Sequence, residues 1–316
     1  MRALSDTFMF DLQDENGKLF PLLTHVRMDD SLMLAIRNNY INIYYRGGNI
    51  VRIKEQPSGS YTAFFDVKYN KKNLPLPSLP TRIHNQADTI QWVQSFGSLK
   101  NVMDGYYTLH PKSEREFQQL IARENNNSSI SNESEYFITD IEINQSTLRA
   151  RFDMVGVMWK SNERKYGSKC RLALMEMKYA DKALGGTAGL VKHLQDIDAF
   201  FSDRDSHIRL CETIESQFNQ LDALGLLRFQ HGKRGTDVRL NIDDKPQVIF
   251  ILANHNPRSM RLSTYINDPA MDSYANSPLF DLRFFVASFA GYGLHSDCMV
   301  PLEKFRELVS TNRSTV

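Results

Sequence analysis

Two apolar runs flank a polar loop, and their spacing constrains this chain more than any other feature. The first is Arg151-Phe152-Asp153-Met154-Val155-Gly156-Val157; the second is Leu172-Ala173-Leu174-Met175, followed by Glu176-Met177-Lys178. Residues 160–169 between them are polar and contain a glycine, the signature of a β-hairpin loop. In an antiparallel pair, opposed positions sum to a constant. Asp153 and Glu176 sum to 329, which centres the hairpin at 164.5, the middle of that loop. The spacing therefore makes the two carboxylates cross-strand neighbours. Glu176 and Lys178, two apart on one strand, share a face. Two acids at that separation repel unless a cation lies between them, and a divalent ion such as Mg²⁺ suits an all-oxygen site that keeps several waters.

The flanking segments supply the other elements of such a core. Residues 113–124 have helical spacing through Phe117, Leu120, Ile121 and Glu124, with Ser113 as N-cap. Strands are expected over 136–143, 147–159 and 171–179, a helix carrying His193 and Gln195 over about 189–201, a long helix over 207–227 and a buried strand over 247–254.

With Asp153 on one strand and Glu176-x-Lys178 on the next, preceded by a helix and followed by a glutamine-bearing one, residues 113–257 resemble the PD-(D/E)XK nuclease superfamily. The resemblance implies an α/β (α+β) fold with a restriction-endonuclease-like core, a mixed central sheet flanked by helices. It implies a Mg²⁺-dependent endonuclease, with Mn²⁺ able to substitute. Asp153, Glu176, Lys178 and Gln195 are the catalytic candidates. The metal candidates are Asp153, Glu176, the backbone carbonyl of Met177, and Glu114 in the first turn of the preceding helix. DNA is the expected substrate in preference to RNA, in restriction or defence against foreign DNA, with a homodimer or an accessory protein where two strands must be cut. Two departures stand out: Phe152 occupies the place of the motif's proline, and Ala199 stands four after Gln195 where some branches have tyrosine.

A second acid-x-Lys, Asp66-Val67-Lys68, lacks an acid on the preceding strand and reads as an ordinary strand-end pair. Asp140 and Glu142 alternate with Phe137, Ile141 and Ile143 as a solvated strand face does. His193 reads as structural or as a DNA contact, on a different helix face from Gln195. Between residues 149 and 182, nine Lys/Arg oppose four Asp/Glu, a local surplus of +5 that suits phosphate. The whole chain carries only +1 and no global basic field.

Its 316 residues, 41% hydrophobic, suggest two domains: 1–104, an α+β unit of open role, and 105–316, the nuclease-like unit with a C-terminal extension. In the first, residues 29–36 read as a capped helix, 41–53 as a hairpin turning at its glycines, 61–69 as a strand, and the proline-rich 74–80 as a loop. Cys170, Cys211 and Cys298 have no paired spacing, which points to free thiols in a reducing compartment. No apolar run is long enough to span a bilayer, and the chain reads as cytoplasmic. Two other functions compete: a nucleic-acid-binding module without catalysis on the same fold, and an interaction protein whose motif is incidental charge.

Overall fold

The computed structural model describes residues 2–145, 150–186, 189–230, 237–255, 260–287 and 293–311. The chain is mixed α and β and divides into two compact units: residues 1–123 with 216–228, and residues 124–215 with 229–316. The boundary expected at 104/105 falls inside a helix, α3 (Gln86–Leu109), and the first unit instead runs on to residue 123.

The first unit holds an antiparallel five-stranded sheet, ordered β1 (Leu32–Ile36), β2 (Tyr40–Tyr45), β3 (Gly48–Glu55), β4 (Tyr61–Phe64) and β5 (Arg82–Ile83). Helices α1 (Asp6–Gln13) and α2 (Phe20–Met28) precede it. The hairpin expected over 41–53 is β2–β3. It turns at Arg46 and Gly47, both at positive φ (50° and 70°), as a two-residue hairpin turn requires. Residues 29–36 are not a helix. Asp29 accepts hydrogen bonds from the Ser31 amide and hydroxyl, an Asx turn rather than an N-cap, and Leu32–Ile36 continues as a strand buried throughout. A contiguous apolar run has no period to separate strand from helix. Strand β4 stops at Phe64. Asp66 then caps a short 3₁₀ turn through the Lys68 amide and pairs with its ammonium at 2.6 Å.

The second unit is built on another five-stranded sheet, ordered β10-β9-β8-β7-β6. Strands β6 (Tyr136–Gln145), β7 (Ala150–Met158) and β8 (Arg171–Tyr179) form an antiparallel meander. Strand β9 (Gln247–Ala253) runs parallel to β8, and β10 (Asp281–Val286) parallel to β9. The crossover from β8 to β9 contains α5 (Leu190–Ser202) and α6 (Arg204–Ala223), as a parallel connection requires. Helix α4 (Ser113–Asn126) leads into the meander, and α7 (Arg261–Ile266), α8 (Asp272–Ala275) and α9 (Leu302–Thr311) follow the crossover. Pro269 and Pro278 mark a loop in sequence, but the segment between them contains a 3₁₀ turn (Pro269–Met271) and α8. The apolar residues from Leu282 to Leu294 read in sequence as one strand, of which β10 takes the first part; residues 288–292 lie outside the described residues, as do Thr187 and Ala188 between Gly186 and Gly189.

Strand β8 is buried on both faces. Close approach of the meander strands requires Gly156: a Cβ there would stand 1.9 Å from the Phe137 carbonyl oxygen. Arg164, in the β7–β8 loop, donates to the carbonyls of Trp159, Asn132 and Ser134, and its guanidinium lies over Phe137 and Phe229.

Candidate active site

The hairpin register is Met154↔Met175, Val155↔Leu174 and Gly156↔Ala173, each pair summing to 329. The ladder ends at Met154↔Met175, and continued by one step it would oppose Asp153 to Glu176. Asp153 Oδ2 accepts from the Met177 amide at 3.0 Å, which ties the acid of β7 to the strand bearing Glu176 and Lys178. Asp153 is 8% exposed, Glu176 1% and Lys178 3%. Three ionisable groups thus lie together inside the second unit, where isolated charge is costly.

Glu176 is the most deeply buried of the three. Neither of its buried carboxylate oxygens has a hydrogen-bond partner. Lys178 Nζ lies 3.8 Å from Oε2, longer than a hydrogen bond, and His193 Nδ1 lies 3.1 Å from the same oxygen without hydrogen-bond alignment. Burial, with the Asp153 charge adding to it and Lys178 opposing it, pushes Glu176 well above the usual carboxylate range. Asp153 is also raised, by burial first; Lys178 and the Met177 amide oppose that, and the Glu142 charge adds to it.

Glu142 adds an acid from a third strand. The pairs Ile141↔Met154 and Ile143↔Phe152 bracket Glu142 and Asp153, and the Glu142 charge acts on Asp153. Glu142 has left-handed backbone (φ 55°) and an ion pair with Arg151. Asp140 and Glu142 are therefore no solvated face: Asp140 is fully buried, and its Oδ1 accepts from the Ile141 amide. At the far end of β8, His255 Nε2 is 3.1 Å from the Lys178 carbonyl oxygen and Nδ1 is 3.0 Å from Asp181. Ala180 (φ 63°, ψ 163°) adopts a conformation otherwise used almost only by glycine. The strand carrying Lys178 is thus held at its exit by a buried imidazole and a strained residue.

Gln195 is exposed; the residue of α5 that reaches Glu176 is His193. The reason is helical spacing. The buried stripe of α5 is Leu190, Leu194, Ile197 and Phe201. His193 stands three after Leu190 and four before Ile197, on the flank of that stripe, whereas Gln195 turns away. Glu114, in the first turn of α4, belongs to the first unit, while Asp153, Glu176 and Lys178 belong to the second. Met177 engages Asp153 through its N–H. The nearest lysines of the β7–β8 loop, Lys160 and Lys169, are seven residues from Asp153 and Glu176 along their strands, about 23 Å if fully extended. Lys160, Lys165 and Lys169 are exposed there and Arg164 is buried against carbonyls, so the basic loop does not border the carboxylates.

Among the described residues, no three His, Cys, Asp or Glu side chains close into a metal cage by themselves, and no helix is long and apolar enough to cross a membrane. The three cysteines are free, with Cys170 and Cys211 buried. No protein-family model, curated protein or solved structure matches the chain.

Proposed function

We propose that the second unit is a divalent-metal-dependent phosphodiesterase acting on nucleic acid, DNA in preference to RNA. The observation that carries this reading is the buried Asp153–Glu176 pair with Lys178 beside it. A three-stranded meander, a helical crossover and a parallel strand, in that order, also resemble the restriction-endonuclease-like core. A role in restriction or defence against foreign DNA follows from that resemblance.

The side chains present fit a cation. Two buried carboxylates face each other, and both Glu176 oxygens lack a donor, an arrangement stable only when a proton or a cation neutralises the pair. Asp153 and Glu176 would hold Mg²⁺ or Mn²⁺, with water completing the shell. When bound, such an ion supplies Lewis acidity and lowers the pKa of water. The chain's own groups do the rest. Lys178, fixed by the His255 contact to its carbonyl, offers a donor for negative charge developing on a phosphate. The Met177 amide orients Asp153. Burial of β8 on both faces keeps bulk water from screening these interactions.

A nucleic-acid-binding module without turnover is the second reading, favoured by the incomplete donor set. Cleavage of supercoiled plasmid with Mg²⁺ or Mn²⁺ separates the two, comparing wild type with Glu176→Ala and Lys178→Ala. Nicking that needs metal and is lost in both variants supports the nuclease. Salt-dependent binding without nicking supports the module, and equal nicking by all three proteins refutes the assignment of this site.

A further inference from the structure

We propose that the first unit has a nucleic-acid contact of its own: the open face of its sheet, over β3, β4 and β5, binds single-stranded nucleic acid by base stacking and phosphate pairing. The proposal goes beyond the phosphodiesterase reading and uses none of its residues.

Strand register sorts this sheet into two faces. On one, Ile41, Ile53 and Ala63 are opposed across β2, β3 and β4, and Tyr61 is opposed to Ile83. All five are buried. The alternate positions form the other face. There Tyr40, Lys54, Thr62 and Arg82 make one row across four strands, and Asn42, Arg52 and Phe64 make the next. Directly opposed residues of antiparallel strands share a face, so these side chains stand together. Toward β2 the face closes, with Asn42 buried. From β3 outward it opens: Arg52, Lys54, Phe64 and Arg82 are exposed, Phe64 to 54%.

A solvated sheet face ordinarily carries polar side chains, and a phenylalanine set among cations departs from that. Arg52 lies directly opposite Phe64 and is held in place. Its Nε donates to Asn42 Oδ1 at 3.2 Å, and its guanidinium carbon lies 5.3 Å from the centre of the Tyr40 ring. Among the described residues, neither Lys54 nor Arg82 has an ion pair. Asp66, on which the Arg52 charge acts, is itself paired with Lys68 at 2.6 Å. The open face is thus cationic around one free aromatic ring. Arg52 and Lys54 are about 6.8 Å apart along β3, and Lys54 and Arg82 about 9.5 Å apart across two strand spacings. A ring for a base and cations for the backbone are the two components of single-strand binding. A duplex keeps its bases stacked on one another and offers the Phe64 ring no partner.

The test titrates fluorescein-labelled thymidine and uridine dodecamers, and a DNA duplex of the same length, with the full chain in EDTA and reads anisotropy. Both single strands should bind more tightly than the duplex, with a log–log salt slope of about −2 for contacts from Arg52, Lys54 and Arg82. Phe64→Ala should weaken single-strand binding at least about fivefold with the slope unchanged, and Phe64→Tyr should restore it. Lys54→Gln and Arg82→Gln should each flatten the slope by about 0.7. Duplex binding as tight as single-strand binding would overturn the proposal, as would single-strand binding that Phe64→Ala leaves unchanged. With metal chelated no cleavage enters the signal, so failure of the plasmid assay leaves this face standing, and failure here leaves the Asp153–Glu176 pair untouched.

Discussion

Glu176→Gln should make the metal-free protein more stable at neutral pH, an unusual outcome for a substitution at a fully buried residue. Glutamine keeps the side chain's shape and removes the charge. In wild type, both Glu176 oxygens are buried without a donor and face the Asp153 carboxylate. A tenfold difference in proton affinity between fold and unfolded chain is worth about 1.4 kcal/mol, so relief of about 1–3 kcal/mol, or roughly 3–10 °C in Tm for a unit of this size, is expected. The pH dependence has a definite sign. The folded-state pKa of Glu176 is raised, so below the ordinary carboxylate range both states are protonated and variant and wild type should melt alike. As pH rises, the unfolded chain releases its proton first, and wild type loses stability relative to the variant until Glu176 also ionises in the fold. A divalent ion reverses the order. At a hundred times its Kd it stabilises wild type by about 2.7 kcal/mol and the glutamine variant by much less. Thermal melts from about pH 4 to about pH 8, with and without Mn²⁺, test each step. A metal-free variant less stable than wild type at neutral pH would refute the argument, as would an equal response of both proteins to the ion.

Three further outcomes follow from buried contacts. Arg164→Ala should cost on the order of 3 kcal/mol in urea unfolding, because the carbonyls of Trp159, Asn132 and Ser134 lose their common donor; Arg164→Lys should recover less than half, since an ammonium cannot match a planar guanidinium across three acceptors. Tyr61→Phe should cost about 1.5–3 kcal/mol in the same assay, through loss of the buried 2.7 Å hydrogen bond to Asp11; an unchanged midpoint would show that bond to be energetically idle. Gly156→Ala should fail to give folded protein, or lose about 3 kcal/mol or more, because a Cβ 1.9 Å from the Phe137 carbonyl forces β6 and β7 apart.

The hairpin was legible because its information is arithmetic. A polar loop fixes the centre, alternation fixes the faces, and the register of β7 against β8 follows residue by residue. The same reasoning had no purchase on residues 32–36, where five consecutive apolar side chains carry no period. It also passed over α3, although Trp92, Phe96, Leu99, Met103 and Tyr107 recur at three and four, because that stripe sits among polar residues and no motif drew attention to it. At the candidate site, the two strand acids and the lysine were readable from alternation. On α5 the motif position leads to Gln195, which is exposed, whereas the apolar stripe brings His193 to Glu176. His255 carried no signal at all: its partners are a backbone carbonyl and an acid 74 residues away, and such pairings exist only once the parallel strands are side by side.

The chain leaves the second unit after residue 215 and returns at 229. The intervening stretch belongs with the N-terminal part: Gln217 donates to the Ile36 carbonyl, Gln220 exchanges hydrogen bonds with Leu4, and Arg27 donates to the Leu224 carbonyl. Heredity must respect that excursion. A recombination event that replaces residues 1–123 with a foreign segment would leave Phe218, Leu221 and Leu224 facing a surface they were not selected to fit, so the two units can diverge in sequence but cannot be shuffled as beads on a string. Any lineage that exchanged the first unit must have exchanged residues 216–228 with it, and that coupled replacement is a mark which comparison of related genes could detect.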